Sequence, residues 1–133
     1  NIALGDRNGN SKLFLGQVTG ASSLTLQPKG SNNYELVKVE RGDELIKNNN
    51  LPLPNIVKID VEGYEYQVIM GLVNTLSNNN CRIICCEVHP QMLLKNTDSN
   101  KIFNLLKSFG FNVIDTYNRG TSEFHIVAQK NED

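Results

Sequence analysis

At 133 residues with 39% hydrophobic content, the chain is one domain at most, large enough for a core but small for a cofactor enzyme. Its 13 basic and 14 acidic side chains give a formal net charge of -1, which excludes a basic field for nucleic acid and a polybasic membrane patch. No apolar run approaches the roughly 20 residues of a membrane span and no signal-peptide pattern opens the chain, so it reads as soluble and cytoplasmic.

In chain order, Asn1-Ile2-Ala3-Leu4 predicts a short strand, without an initiator methionine or a cap, and Gly5 to Asn10 is rich in turn residues. Lys12 to Leu15 predicts a second strand, making the opening a β-hairpin or a strand-loop-strand corner. Gly16 to Asn33 reads as an exposed loop with a short extended piece at Ser23 to Leu26. Tyr34 to Glu40 alternates as a half-buried strand, and Asp43 is placed to cap a short helix containing Leu45 and Ile46.

The central stretch is Ile56-Val57-Lys58-Ile59-Asp60-Val61-Glu62-Gly63: a β-branched strand ending in two carboxylates and a glycine. Tyr64, Val68, Ile69, Leu72 and Leu76 then share one helical face, and Asn78-Asn79-Asn80 ends that helix. Ile83 to Val88 repeats the strand, with Glu87 and His89 at its far end, so that strand, helix and strand form a βαβ unit. Cys81, Cys85 and Cys86 have neither disulfide nor zinc spacing and read as buried apolar residues. Asp98 caps a helix bearing Ile102, Phe103, Leu105, Leu106 and Phe109, with Gly110 at its C-terminus. Asn112 to Tyr117 and Glu123 to Gln129 predict a closing β-hairpin around Asn118-Arg119-Gly120. The fold class is therefore α/β, with a mostly parallel sheet ending in an antiparallel hairpin.

Ligands in such sheets lie beyond the carboxyl ends of the strands, where Asp60, Glu62, Glu87 and His89 fall. Alternation places Lys58, Asp60 and Glu62 on one side if the extended chain continues, and Glu87 and His89 on one side of the next strand. A convergence of these five groups can deprotonate and orient a hydroxyl, or equally hold magnesium, manganese or non-haem iron. Plainer roles stay open: Asp60 or Glu62 as a helix cap, His89 as a hydrogen-bonded residue leaving its strand, Asp6 as a turn residue. Lys58 inside a parallel strand needs a partner, for which Glu87 is the candidate.

Val57-Lys58-Ile59-Asp60-Val61-Glu62-Gly63, Glu65 and Glu87-Val88-His89 resemble the signature of the FkbM-type methyltransferases. So do Ala3-Leu4-Gly5-Asp6, Asn8-Gly9, the Ser22-Ser23-Leu24 stretch and Val39 to Ile46, and the resemblance covers nearly the whole chain. It implies a class I, Rossmann-like methyltransferase fold using S-adenosylmethionine, with residues 1–133 as the carboxyl-terminal part of one domain and the amino-terminal cofactor-loop strands absent. These residues alone are then expected to be inactive and to expose an apolar central sheet edge that invites self-association. The implied acceptor is a hydroxyl on a sugar, glycan or small molecule. His89, Asp60, Glu62 and Glu87 carry the catalysis, Asp6 and Asp60 contact the cofactor, and no metal ligand is assigned. The alternatives are a metal-dependent glycosyltransferase, on the loose likeness of Asp60-Val61-Glu62 to an Asp-x-Asp, and a non-catalytic interaction module.

Overall fold

The computed structural model describes residues 1–16, 22–27, 32–118 and 120–131. Two sheets form. The first contains β1 (Ile2–Gly5), β2 (Gly9–Phe14) and β3 (Tyr34–Arg41) in the order β1-β3-β2, with β1 parallel and β2 antiparallel to β3. The opening is therefore a corner: both early strands flank β3 and do not pair with each other. Val37 and Val39 of β3 are buried while Leu36 is 74% exposed, as strand alternation requires.

The second sheet has the order β4-β5-β7-β6, built from β4 (Ile56–Ile59), β5 (Ile83–Val88), β6 (Phe111–Asn118) and β7 (Phe124–Lys130). Only β4 and β5 run parallel in it; β7 is antiparallel to both β5 and β6. The expected closing hairpin is present, but the mostly parallel sheet is not what the described residues form. The hairpin folds back so that β7, not β6, lies against β5, and each such return adds an antiparallel pair.

Between β4 and β5 the expected single helix is two short ones, α2 (Glu65–Gly71) and α3 (Val73–Ser77), interrupted at Leu72. Tyr64, Val68, Ile69, Leu72 and Leu76 are nevertheless all buried, so the apolar periodicity survives the break. They pack with Ile84, Cys86 and Val88 of β5, Ile126 and Ala128 of β7, and Ile102 and Leu106 of α4 (Ser99–Ser108). Cys81 and Cys86 are buried free thiols in this core, and Cys85 is half-buried. Asp98 caps α4, its carboxylate accepting from the Lys101 N–H at 2.8 Å, and Gly110 follows with φ +87°.

Asp43 does not cap the helix it was assigned to. α1 (Gly42–Asn48) is preceded by Arg41 at the N-cap, and Asp43 lies inside its first turn. Its carboxylate instead accepts from Asn74 N at 2.8 Å and from Thr75 N and Oγ1 at 2.9 and 2.7 Å. It thus supplies the start of α3, which has no cap of its own, with the acceptor its free N–H groups need. Lys58 likewise lacks the assigned partner Glu87. β4 has a strand partner on one side only among the described residues, and Lys58 is largely exposed and pairs with Asp60 at 2.9 Å. The loop expectation for 16–33 falls partly outside the described residues, but Ser23 within it is buried and bridges to Phe14.

β1 and β4 each keep one edge without a strand partner among the described residues. Both line one apolar groove of about 400 Å³, with Leu4, Leu24, Ile59, Asp60 and Tyr64 on its walls. Helix α2 joins the sheets, and Gly71 rests so closely on β1 that a Cβ there would overlap the Gly5 carbonyl. Backbone cannot move aside as a side chain can. Gly71→Ala is therefore expected to lower unfolding free energy by about 1–3 kcal/mol; an unchanged urea midpoint would show that α2 does not sit on β1 in this way.

Candidate functional site

The strand β4 stops at Ile59, and the chain then turns through two consecutive left-handed residues, Glu62 (φ +53°) and Gly63 (φ +98°), before α2 begins. Glycine suits the second position doubly, because a Cβ on Gly63 would run into the Met92 backbone. Glu62 adopts a conformation uncommon for a side-chain-bearing residue. Its carbonyl oxygen accepts from Ser23 Oγ at 2.7 Å and Thr25 Oγ1 at 3.3 Å, which tie the turn to the 22–27 segment. Ser23 Oγ in turn accepts from the backbone N–H groups of Thr25 and Leu26.

This turn ends the alternation on which the shared side of Lys58, Asp60 and Glu62 depended. Lys58 and Asp60 remain together on the exposed side, while Glu62 swings toward the end of β5. There it meets His89. The imidazole is 5% exposed, and its Nδ1 lies 2.7 Å from Glu65 Oε1, a carboxylate with no exposure at all. The same Oε1 accepts from Gly63 N at 2.9 Å. With that oxygen serving as acceptor, Nδ1 is the donor and Nε2 faces the cleft.

Around Nε2 stand Glu62 Oε2 at 3.7 Å and Glu87 Oε1 at 4.0 Å. His125 Nε2 lies 3.6 Å from the same Glu87 oxygen, because β5 and β7 pair with Glu87 directly opposite His125. Glu62, Glu87, His89, Thr121, Glu123 and His125 line a cleft of about 310 Å³. Asp60, Glu62 and His89 each offer a donor atom, all within 4.8 Å of one another, an O,O,N set that could hold a hard or borderline cation.

Four of the residues singled out from sequence thus gather: Asp60, Glu62, Glu87 and His89. Asp6 does not join them. It ends β1 beside Tyr64, its backbone carbonyl accepting from Arg41 Nη1 at 2.6 Å, and its Oδ1 is buried without a hydrogen-bond partner among the described residues. Glu65 and His125 were not singled out as site residues. The Glu65 signal was its place in the quoted signature; His125 could have been found only by pairing the closing strand against β5.

Electrostatics follow from burial. The hydrogen bond to Glu65 holds the His89 imidazole above its ordinary value, against the opposing effect of burial. Burial pushes the Glu62 carboxyl up, with His89 opposing and neighbouring carboxylates adding. Burial also raises the Tyr64 hydroxyl, reinforced by the Asp6 charge.

A strand-end imidazole oriented by a buried carboxylate, on an α/β scaffold, is an arrangement able to move a proton. The family of the chain makes this specific: it belongs to the FkbM methyltransferases, the Methyltransferase FkbM domain matching residues 1–113. It is similar to the hexuronic acid methyltransferase AglP of Haloferax volcanii, 43% identical over 53 residues, which are 40% of this chain and 21% of that protein. The chain therefore spans only about a fifth of that relative's length. No solved structure matches it. No helix among the described residues is long and apolar enough to cross a membrane.

The Glu65–His89 bond is open to direct measurement. The His89 ring signals should titrate above the usual imidazole value of about 6.5, and Glu65→Gln should bring that value down. A raised folded-state value means stabilisation complete below about 6.5 and lost as pH rises through the folded value. The deficit of Glu65→Gln relative to the unsubstituted chain should accordingly be larger at pH 6 than at pH 9; equal deficits would mean the pair is not made.

Proposed function

We propose that the protein carrying this chain is an S-adenosylmethionine-dependent methyltransferase acting on a hydroxyl of a sugar, glycan or small-molecule acceptor, with His89 as the proton acceptor. The observation that carries this reading is the buried Glu65–His89 pair, which orients Nε2 toward a carboxylate-lined cleft on a chain of a methyltransferase family. A pre-oriented base at hydrogen-bond reach of a bound hydroxyl is what proton removal from a weak acid requires.

Two features of the chain fit the cofactor. The Asp60 and Glu62 carboxylates favour a cation nearby, as a sulfonium is, and the Asp6 carboxylate interacts with Tyr64, a wall of the apolar groove. When bound, S-adenosylmethionine supplies an electrophilic methyl group. Asp6 is assigned to its adenine end and Asp60 to its charged centre. Glu62 and Glu87 orient the acceptor by accepting hydrogen bonds from its hydroxyls. Methyl transfer to the acceptor oxygen would break the methyl–sulfur bond and leave S-adenosylhomocysteine, the acceptor's proton would pass to His89 Nε2, and Glu65 would stabilise the imidazolium that forms. Excess positive charge on the ring then leaves through the open side of the cleft as the proton is returned to water.

His89→Gln in the full-length protein should lower turnover by about 10²–10⁴-fold with little change in cofactor affinity; unchanged turnover would remove His89 from the mechanism. Titration of S-adenosylmethionine into residues 1–133 and into the full-length protein, read by calorimetry, tests cofactor use itself. We further propose that the free edges of β1 and β4 make residues 1–133 self-associate when isolated. Light scattering should report a mass above the monomer that rises with concentration, and a monomer at every concentration would count against it.

A further inference from the structure

The 310 Å³ cleft that holds His89 has a charge asymmetry that bears on what can enter it. Three of its six lining residues are carboxylates, Glu62, Glu87 and Glu123, and a fourth, Asp60, stands within 4.8 Å of the Glu62 and His89 donor atoms. The buried Glu65 backs the imidazole from behind. Against these, among the described residues, stand two imidazoles and the ammonium of Lys58, which is already paired with Asp60. Glu123 is charged at neutral pH, since hydrogen bonds from Thr121 and its own backbone hold its carboxyl below the usual range.

From this balance we infer that the acceptor is a polyhydroxyl compound bearing no acid group, gripped through neighbouring hydroxyls by Glu62, Glu87, Glu123 and His125 around the hydroxyl that faces His89. Carboxylates accept hydrogen bonds from hydroxyls and ammonium groups, and have no proton to offer another carboxylate. The side chains that could welcome an anion are few. His89 is committed through Nδ1 to Glu65, and His125 Nε2 is directed at Glu87 from 3.6 Å. An acid-bearing sugar, of the kind named for the relative, would have to enter against like charges on at least three sides. At an effective dielectric of about 40, one additional carboxylate at about 6 Å costs roughly tenfold in affinity.

This inference rests on the methyl-transfer reading for the identity of the reacting hydroxyl, but the charge preference can be measured without turnover. The test uses the full-length protein with S-adenosylhomocysteine present. Methyl glucoside, methyl glucosaminide and methyl glucuronide are titrated separately, with the His89 and His125 ring signals followed by NMR. The glucoside and the glucosaminide should shift both rings, and the glucuronide should bind at least tenfold more weakly. Glu123→Gln, which removes one of the cleft's negative charges, should narrow that gap severalfold.

Glucuronide binding as tight as glucoside binding would overturn the inference, as would the absence of ring shifts with all three sugars. Glucuronide binding restored by magnesium would overturn it too, and would make Asp60, Glu62 and His89 a cation site. Methyl transfer to none of the sugars, with the binding order intact, would remove the proposed function and leave the acceptor class standing. The reverse order with transfer intact would remove the acceptor class alone.

Discussion

The contact between Glu65 and His89 is the constraint on which the rest of the site depends. A carboxylate with no exposure is costly to bury unless it is met by donors, and Oε1 has two, the His89 Nδ1–H and the Gly63 N–H, while Oε2 has none among the described residues. Meeting both fixes where α2 starts relative to the end of β5. It accompanies the left-handed turn at Glu62 and Gly63, which sets the Gly63 N–H 2.9 Å from Glu65 Oε1. The hydroxyls of Ser23 and Thr25 then hold the Glu62 carbonyl in that turn, so a segment remote in sequence becomes part of the site's frame.

The sheet contributes proximity. Because β4 and β5 are parallel neighbours, the residues that follow them emerge at the same end, which places Asp60 and Glu62 beside His89. The antiparallel β7 runs back past β5 and sets His125 across from Glu87. The helices cover the face carrying Ile84, Cys86 and Val88, leaving Glu87 on the opposite face. Scaffold and chemistry are thereby separated along the same strands, in alternating residues. The groove lined by β1 and β4 has apolar walls and shares Asp60 with the charged cluster.

Much of the fold was legible from local pattern. The strands at 56–59 and 83–88, the cap at Asp98 and the closing hairpin depend on alternation, on one side chain reaching its own helix, and on turn residues, all short-range. The errors share a cause. Asp43 was assigned to the helix beside it, yet its carboxylate serves a helix some thirty residues on. Lys58 was given a buried partner on the assumption of an interior strand, whereas β4 has a strand partner on one side only among the described residues and the ammonium reaches Asp60 in water. The helix after Gly63 was read as continuous because its apolar spacing is continuous, and the break at Leu72 leaves that spacing intact.

By itself, the sequence determined the α/β class, the family to which residues 1–113 belong, and four residues that gather at the strand ends, Asp60, Glu62, Glu87 and His89. These are written in short motifs whose spacing follows from strand and helix periods. Only the tertiary structure decided that Glu65 and His125 complete the site, that Asp6 stands apart from it, and that Glu62 turns inward. Those outcomes rest on cross-strand register, a left-handed backbone turn held by distant hydroxyls, and the need to satisfy a buried carboxylate. Each is a contact between residues far apart in the chain, and no local period encodes it.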